Sequence, residues 1–167
     1  MVMVGEQFAC IKIAGRANFN LSVDFKTLVT ELQRKGFSYF VLELSECVLM
    51  DSAFLGVLAG FGLKMNQPAG DTAAPTLELR NANARITDLL ENLGVLHLFK
   101  IAEGPVATAG RLEPCAPPAT PASRVDITRA CLEAHQTLME INPENVPRFK
   151  EVAKFLAEDL SKLQGKP

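Results

Sequence analysis

The sequence has few of the residues that usually mark a metal site or an enzyme. Only two of its 167 residues are histidines, tryptophan is absent, and the four cysteines form no Cys-x-x-Cys pair. Because zinc sites use closely spaced cysteine and histidine ligands, we predict no metal centre and no cofactor, and we expect reduced thiols, as in a cytoplasmic protein. The sequence also has no Walker loop, no glycine-rich phosphate loop and no Ser-His-Asp arrangement. We therefore predict a protein without enzymatic activity.

The chain also lacks a strong net charge and a long apolar run. Its 17 Lys and Arg residues nearly balance its 19 Asp and Glu residues, and non-specific binding to nucleic acid needs a basic surface. The longest apolar run, at 54–63, is far shorter than the ~20 residues that span a bilayer. The first residues do not resemble a secretory signal. We expect a cytoplasmic protein that binds no nucleic acid and has no membrane span.

Prolines are unevenly distributed, with five of the ten between Pro105 and Pro121. Each proline fixes one backbone dihedral angle and removes a hydrogen-bond donor, so neither a helix nor a strand continues through this stretch. We predict three parts: a domain at 1–103, a proline-rich linker at 104–122 and a helical hairpin at 123–167. An ordered loop packed on the domain is the alternative to an extended linker.

Strand-like and helix-like periods alternate in the first 103 residues. The predicted strands lie at 8–14, 39–44, 76–80 and 95–101, and the predicted helices at 21–35, 52–65 and 84–93. Residues 1–4 are a candidate edge strand, and 67–74 is a turn-rich break. Strands and helices that alternate with short connections predict an α/β domain, with a mostly parallel sheet of four to five strands and helices packed on it.

One stretch, from Val41 to Leu58, is the most informative about function. It reads Val-Leu-Glu-Leu-Ser-Glu-Cys-Val-Leu-Met-Asp-Ser-Ala-Phe-Leu-Gly-Val-Leu. A buried strand ends within it, a loop that includes 45–47 follows, and Asp51 and Ser52 then begin an apolar helix. We expect residues 45–47 to flank the same surface as this Asp-Ser pair, and an ordinary solvated loop is the alternative.

This stretch resembles the STAS domain, named after sulfate transporters and anti-sigma factor antagonists. In that family a hydrophobic strand leads to a Met-Asp-Ser-Ser-Gly-Leu-Gly signature at the start of a helix, and Asp51 and Ser52 match its Asp-Ser pair. The Ile-Ala-Gly-Arg stretch at 13–16 is similar to the family's glycine-containing turn. Residues 83–101 are similar to its third helix and final strand. The resemblance covers residues 5–103 and implies the STAS fold.

The resemblance implies a bacterial signalling protein that regulates transcription through protein partners. In the anti-sigma factor antagonists, the serine after the aspartate is phosphorylated by a partner kinase that is itself the anti-sigma factor, and this serine is Ser52 here. A helix N-terminus tolerates a phosphate because its N–H groups are unpaired and partly positive. The added charge would repel a docked partner, and a phosphatase would restore the bare serine. The residues expected at the partner surface are Asp51, Ser52, Ala53, Phe54, Arg16, Asn18 and Glu46.

Two observations leave other interpretations open. Asp and Ser are ordinary helix caps, so Asp51 is also explained as the cap of the helix that begins at Ser52. The sequence departs from the signature as well, because Ala53 replaces its second serine and Phe54 replaces its first glycine. A large ring at an exposed helix start would reshape kinase docking or contact a partner directly. The alternative function is an unphosphorylated STAS subunit of a signalling scaffold or a lipid-transport ATPase complex.

Other residues in this part have plainer explanations. We expect His97 to be a packed or edge residue of the last predicted strand rather than a catalytic base. Gly56, Gly60 and Gly62 lie inside a predicted helix. We expect these glycines to permit close packing on the sheet rather than to bind phosphate.

The segment after the linker has the pattern of two amphipathic helices. Apolar residues recur at steps of three and four, at 127, 131, 134, 138 and 141 and again at 149, 153, 156, 160 and 163. Pro147 suits the first turn of the second helix, with Asn145 near its cap. Two short helices alone bury such stripes poorly. The predicted αα-hairpin therefore packs on the domain, on a second copy or on another protein, and we favour a homodimer.

Overall fold

The computed structural model describes residues 2–4, 8–65, 77–105 and 123–165. The strands are β1 (Val2–Val4), β2 (Phe8–Lys12), β3 (Gly15–Ala17), β4 (Tyr39–Glu43), β5 (Cys47–Met50), β6 (Leu77–Arg80) and β7 (Lys100–Ala102). The α-helices are α1 (Phe19–Arg34), α2 (Ser52–Met65), α3 (Ala84–Asn92), α4 (Arg124–Ile141) and α5 (Val146–Leu163). Short 3-10 turns lie at Leu96–Leu98 and Pro143–Asn145. The predicted alternation of strands and helices and the C-terminal helical pair are confirmed.

The main sheet has the strand order β1-β2-β4-β6-β7. Neighbours from β2 to β7 are parallel, and β1 is an antiparallel edge strand with Met3 opposite Cys10. The mostly parallel sheet is therefore confirmed, and the candidate edge strand at 1–4 is present. A second, two-stranded sheet pairs β3 with β5 in parallel, with Arg16 opposite Leu49.

One face of the main sheet carries the hydrophobic core. Phe40 and Leu42 on β4, and Leu77 and Leu79 on β6, share this face at alternate positions, as the two-residue period of a strand requires. Apolar side chains of α1, α2 and α3 complete the same cluster. α2 is apolar on nearly all sides because it packs against the core and also against α4.

The C-terminal hairpin, defined here as residues 123–165, packs on α2 and α1 of the same chain. Leu138 of α4 is fully buried in the main core. α2 and α4 are in close contact at Gly56 of α2, where an added Cβ atom would lie 2.6 Å from the Cβ of Ala134 and would overlap the Ala134 carbonyl. The hairpin thus packs on its own domain, and Gly56 permits contact with α4 rather than with the sheet. The homodimer stays a prediction.

Asn145 ties the turn of the hairpin to the domain. Its buried Nδ2 donates to the carbonyl of Leu93, just after α3, and to the carbonyl of Leu138, both at 2.9 Å. Asn145 precedes α5 as predicted, but its side chain makes no capping hydrogen bond. Pro147 lies in the first turn of α5, as its fixed backbone angle favours.

The strand predicted at 95–101 is wrong over most of its length. Its first part forms the 3-10 turn, and the backbone is extended only from Phe99 into β7. The buried residues here are Val95, Leu98 and Phe99. They are three residues and one residue apart, which suits a helical turn, whereas a strand with one buried face would bury every second residue. His97 lies exposed on this turn, so it is not a strand residue.

Several remaining predictions concern other parts of the chain. The turn-rich break at 67–74 and the linker from 106 to 122 lie outside the described residues. Cys10, Cys47 and Cys131 are buried free thiols. Among the described residues, no helix combines the length and the apolar character that crossing a membrane requires.

Candidate functional site

The Asp-Ser pair lies at the junction between β5 and α2. The N–H of Asp51 donates to the carbonyl of Ala17, at the end of β3, at 2.9 Å. Because β3 and β5 run in parallel, the two helices that follow them begin side by side. Gly15, the first residue of β3, makes this path possible, since its φ of 75° is a backbone angle that residues with a side chain disfavour. The predicted glycine-containing turn therefore positions β3 beside β5.

Asp51 caps two helices at once. Its Oδ1 accepts a hydrogen bond from the N–H of Phe54 in the first turn of α2, and its Oδ2 accepts one from the N–H of Phe19, the first residue of α1, both at 2.8 Å. A helix N-terminus has unpaired N–H groups and a partial positive charge, and a carboxylate satisfies both. The capping interpretation of Asp51 is therefore correct, and this one side chain fixes the relative position of the two helix starts.

Ser52 contacts a residue of the C-terminal hairpin. Its Oγ lies 2.9 Å from Nε2 of His135 on α4. The other ring nitrogen, Nδ1, lies 2.7 Å from the carbonyl oxygen of Cys131. Because a carbonyl only accepts, Nδ1 must carry a proton, and in the neutral ring Nε2 then accepts from the Ser52 hydroxyl.

His135 is held from a second side by α5. The residue is only 5% exposed, and its ring lies edge-on to that of Phe149, with 5.1 Å between the ring centres. The imidazole therefore fills the space between the start of α2 and the inner face of α5. Its two hydrogen bonds satisfy both ring nitrogens, as burial of a polar ring requires.

The pair of Ser52 and His135 differs from the Ser-His-Asp arrangement of a hydrolase. A histidine acting as a base is usually oriented by a carboxylate, whereas here Nδ1 bonds a main-chain carbonyl. Two cavities of about 260 and 350 Å³ lie along α1 and α4, and neither is lined by Ser52 or His135. Among the described residues, no cluster of three or more metal-ligand side chains is present.

The fold is similar to those of solved anti-sigma factor antagonists. One is a Thermotoga maritima protein provisionally classed as such an antagonist, with a TM-score of 0.54 and 19% identity over 62% of this chain and 86% of that one. Another is the anti-sigma factor antagonist SpoIIAA in its unphosphorylated form, with a TM-score of 0.50 and 14% identity over 61% of this chain and 86% of that one. The chain has the STAS fold. In sequence it matches no family model and no curated protein.

Two residues of the STAS signature region differ from expectation. Phe54 is not an exposed contact for a partner: it is 0% exposed, and its ring lies 5.0 Å from that of Phe25 in the core. Ala53 is also buried. The helical period of α2 turns both side chains away from solvent, so neither reshapes an exposed helix start. Ser52 is half-buried beside Asp51, and its hydroxyl faces His135.

The other predicted partner residues of the STAS domain lie along β3 and β5 and their ends. Arg16 is exposed on β3, and Asn18 caps α1 through a hydrogen bond from the N–H of Asn20 at 3.1 Å. Glu46 is exposed before β5 and pairs with Lys12 at 3.1 Å. Arg16 thus lies within the two-stranded sheet of β3 and β5. Glu46 lies just before β5, at one end of this sheet, and Asn18 lies just after β3, at the other end.

The turn before β5 is ordered by Glu43. Its carboxylate accepts hydrogen bonds from the N–H and the hydroxyl of Ser45 and from Nδ2 of Asn81. Burial works against ionisation, but the hydrogen bonds from Asn81 and Ser45 prevail and lower the pKa of the Glu43 carboxyl. The predicted loop at 45–47 ends sooner than expected, since Cys47 already begins β5. A strand of only four residues offers too little alternation to be recognised in sequence.

Proposed function

We propose that this chain is an anti-sigma factor antagonist-like regulatory protein, which binds a partner serine kinase and is switched by phosphorylation of Ser52. The main support is the position of Ser52, directly after Asp51 at the strand-to-helix junction of a STAS fold. The proposal includes a STAS domain at 1–103, a linker at 104–122, a hairpin at 123–167 and a non-enzymatic role in the bacterial cytoplasm.

In the proposed switch, the kinase transfers the γ-phosphoryl group of ATP to Ser52. The Oγ atom forms a bond to the γ-phosphorus, the bond between that phosphorus and the bridging oxygen of ADP breaks, and a general base of the kinase takes the hydroxyl proton. A phosphatase reverses the state by hydrolysis, which releases inorganic phosphate and restores the hydroxyl.

The charge of the phosphate explains why it would act as a switch. A phosphoserine adds about −1.5 to −2 at neutral pH. The start of α2 can stabilise that charge without unfolding, whereas a partner docked over Arg16, Asn18, Asp51 and Glu46 would have to bury it. The kinase would therefore bind the bare form and release the phosphorylated form.

The direct experiment is intact-mass analysis after incubation with ATP and the cognate kinase. The expected result is a gain of one phosphoryl group in the wild type and none in Ser52→Ala. Ser38→Ala serves as the matched control because Ser38 is an exposed serine before β4. No gain in the wild type, or an equal gain in Ser52→Ala, would contradict the switch.

A second candidate function is an unphosphorylated STAS subunit of a signalling scaffold or a lipid-transport ATPase complex. The contact that favours it is the hydrogen bond of Ser52 to His135, because it occupies the hydroxyl that a kinase would need. The Ser52→Asp variant separates the two functions. Unchanged affinity for the partner would support the scaffold subunit, and a large loss of affinity would support the switch.

A further inference from the structure

The hairpin lies directly over the residue that the proposed switch uses. His135 holds the Ser52 hydroxyl from the α4 side. One turn further along α2, Gly56 lies against the main chain of Ala134 with no room for a Cβ atom. Lys26 of α1 adds an exposed ion pair to Glu133 of α4, at 3.1 Å.

A phosphoryl group does not fit into this arrangement. The 2.9 Å between Oγ of Ser52 and Nε2 of His135 is filled by one hydrogen bond. A phosphorus atom with three further oxygens cannot be inserted there unless α4 moves away. The packed α4 also hinders the kinase before any phosphate is transferred, because in-line transfer needs the γ-phosphate to approach Oγ freely.

The charge of a phosphate on Ser52, like its size, disfavours the packing of α4 against α2. Burial, and to a lesser degree the nearby Asp51 carboxylate, raise the pKa of the Cys131 thiol on the inner face of α4. The inner face of α4 therefore already lies within the electrostatic reach of one carboxylate. A phosphate on Ser52 would place a second, larger negative charge against this mostly apolar surface, at the cost of desolvation.

We propose that the C-terminal hairpin is a built-in cover of the STAS site, which must detach from α2 before Ser52 can accept a phosphoryl group and which the phosphate then keeps detached. This inference rests on the proposed function, since it concerns the regulation of Ser52. The structure described above is the closed form, in which Ser52 carries no phosphate and the hairpin is packed on α2. The open form exposes the start of α2 to the kinase.

Two glycines of α2 provide a matched test of the cover. Gly56→Ala places a Cβ atom against Ala134, whereas Gly60→Ala places one in nearly open space, 3.9 Å from the Cγ2 of Thr137. Both substitutions raise helix propensity by the same amount. Only Gly56→Ala is therefore expected to push α4 off α2.

Opening is measured without any kinase, by alkylation of the native full-length chain with N-ethylmaleimide and peptide mapping. Cys131 on the inner face of α4 reports detachment, and the buried Cys10 and Cys47 report global unfolding. We expect Cys131 in Gly56→Ala to react at least tenfold faster than in the wild type, while Gly60→Ala and the two reference cysteines are unchanged. Equal rates of Cys131 alkylation in the wild type, Gly56→Ala and Gly60→Ala would overturn the proposal that the hairpin covers Ser52.

The second arm compares the initial rates of Ser52 phosphorylation in the same proteins with kinase and ATP. We expect at least a tenfold gain in Gly56→Ala and none in Gly60→Ala. If the wild type is phosphorylated as fast as an opened variant, the cover is overturned and the proposed function stands. If variants whose hairpin is detached, as judged by Cys131 alkylation, are still not phosphorylated, the proposed function is wrong. The proposal that the hairpin controls phosphorylation of Ser52 is then wrong as well.

A second pair of variants applies if Gly56→Ala does not fold. His135→Ala removes the contact with Ser52, and Gln136→Ala changes the exposed neighbouring residue of α4. The same two readouts are expected to rise in His135→Ala and to stay at the wild-type level in Gln136→Ala. If His135→Ala has the wild-type rates of Cys131 alkylation and of Ser52 phosphorylation, the proposal that the hairpin covers Ser52 is overturned.

Discussion

The Ser52 hydroxyl at the start of α2 donates a hydrogen bond to His135, a residue 83 positions later in the chain. The signature serine of the STAS domain and the C-terminal hairpin therefore belong to one site. His135 also contacts Phe149, so that the contacts of Ser52 extend to both helices of the hairpin.

The strength of this contact can be measured in a double-mutant cycle of Ser52→Ala and His135→Ala. A neutral, partly buried hydrogen bond stabilises a protein by about 1 kcal/mol, so we expect a coupling energy of about that size in urea unfolding. Additive effects of the two substitutions would show that Ser52 and His135 do not interact in solution.

Asp51→Ala is expected to be among the most destabilising substitutions at the site. It removes the acceptor for the N–H groups of Phe19 and Phe54, and each lost cap costs about 1–2 kcal/mol, which gives about 2–4 kcal/mol in total. Asn18→Ala, which removes one cap of α1, is the control and is expected to cost about 1 kcal/mol. Similar unfolding free energies for the two variants would contradict a double cap at Asp51.

Asn145→Ala is expected to loosen the hairpin from the end of α3. The carbonyls of Leu93 and Leu138 both lose a buried donor, for a cost of about 1–3 kcal/mol in urea unfolding. Asn92→Ala, at an exposed position of α3, is the control and is expected to change stability by less than about 0.5 kcal/mol. The account of this anchor is wrong if the two variants are equally stable.

Tyr39 is the only tyrosine of the chain, which makes its titration directly visible in the ultraviolet absorbance. Burial first, and then the hydrogen bond to Glu78 at 2.6 Å, raise the pKa of Tyr39 to about 12. The phenol is thus neutral in the folded protein over a wider pH range than in the unfolded chain, where its pKa is about 10.

The stability that Tyr39 contributes is therefore fully present below about pH 10 and is lost as the pH rises through about 12. Glu78→Gln removes the negative charge beside the phenol and is expected to lower its pKa. A titration midpoint near 10 in the folded wild type, with circular dichroism to confirm folding, would contradict this environment for Tyr39.

Much of the fold follows from local patterns in the sequence. The helix predicted at 52–65 has the same bounds in the structure, and the strand predicted at 39–44 differs by one residue. The strand is recognisable as a short apolar run, and the helix as a longer apolar run that begins after Asp51. β5 and β7 have only four and three residues, and their form depends on the strands beside them.

The site was accessible to sequence reasoning only in part. Spacing after a strand locates Asp51 and Ser52, but no local pattern indicates that His135 will meet them, because the helical stripe of α4 does not say which surface it covers. The exposed position predicted for Phe54 is wrong for a related reason. α2 is apolar nearly all round, so its period does not distinguish the inner face from the outer one.

Hydrogen–deuterium exchange of the full chain carrying Ser52→Asp tests the central claim most directly, because it places a negative charge at Ser52 without a kinase. Ser38→Asp makes the same change at an exposed site. We predict faster exchange in α4 and at the start of α2 for Ser52→Asp alone, with β4 and β6 protected as in the wild type. Wild-type protection of α4 in Ser52→Asp would show that the hairpin does not respond to charge at Ser52, and would contradict the account.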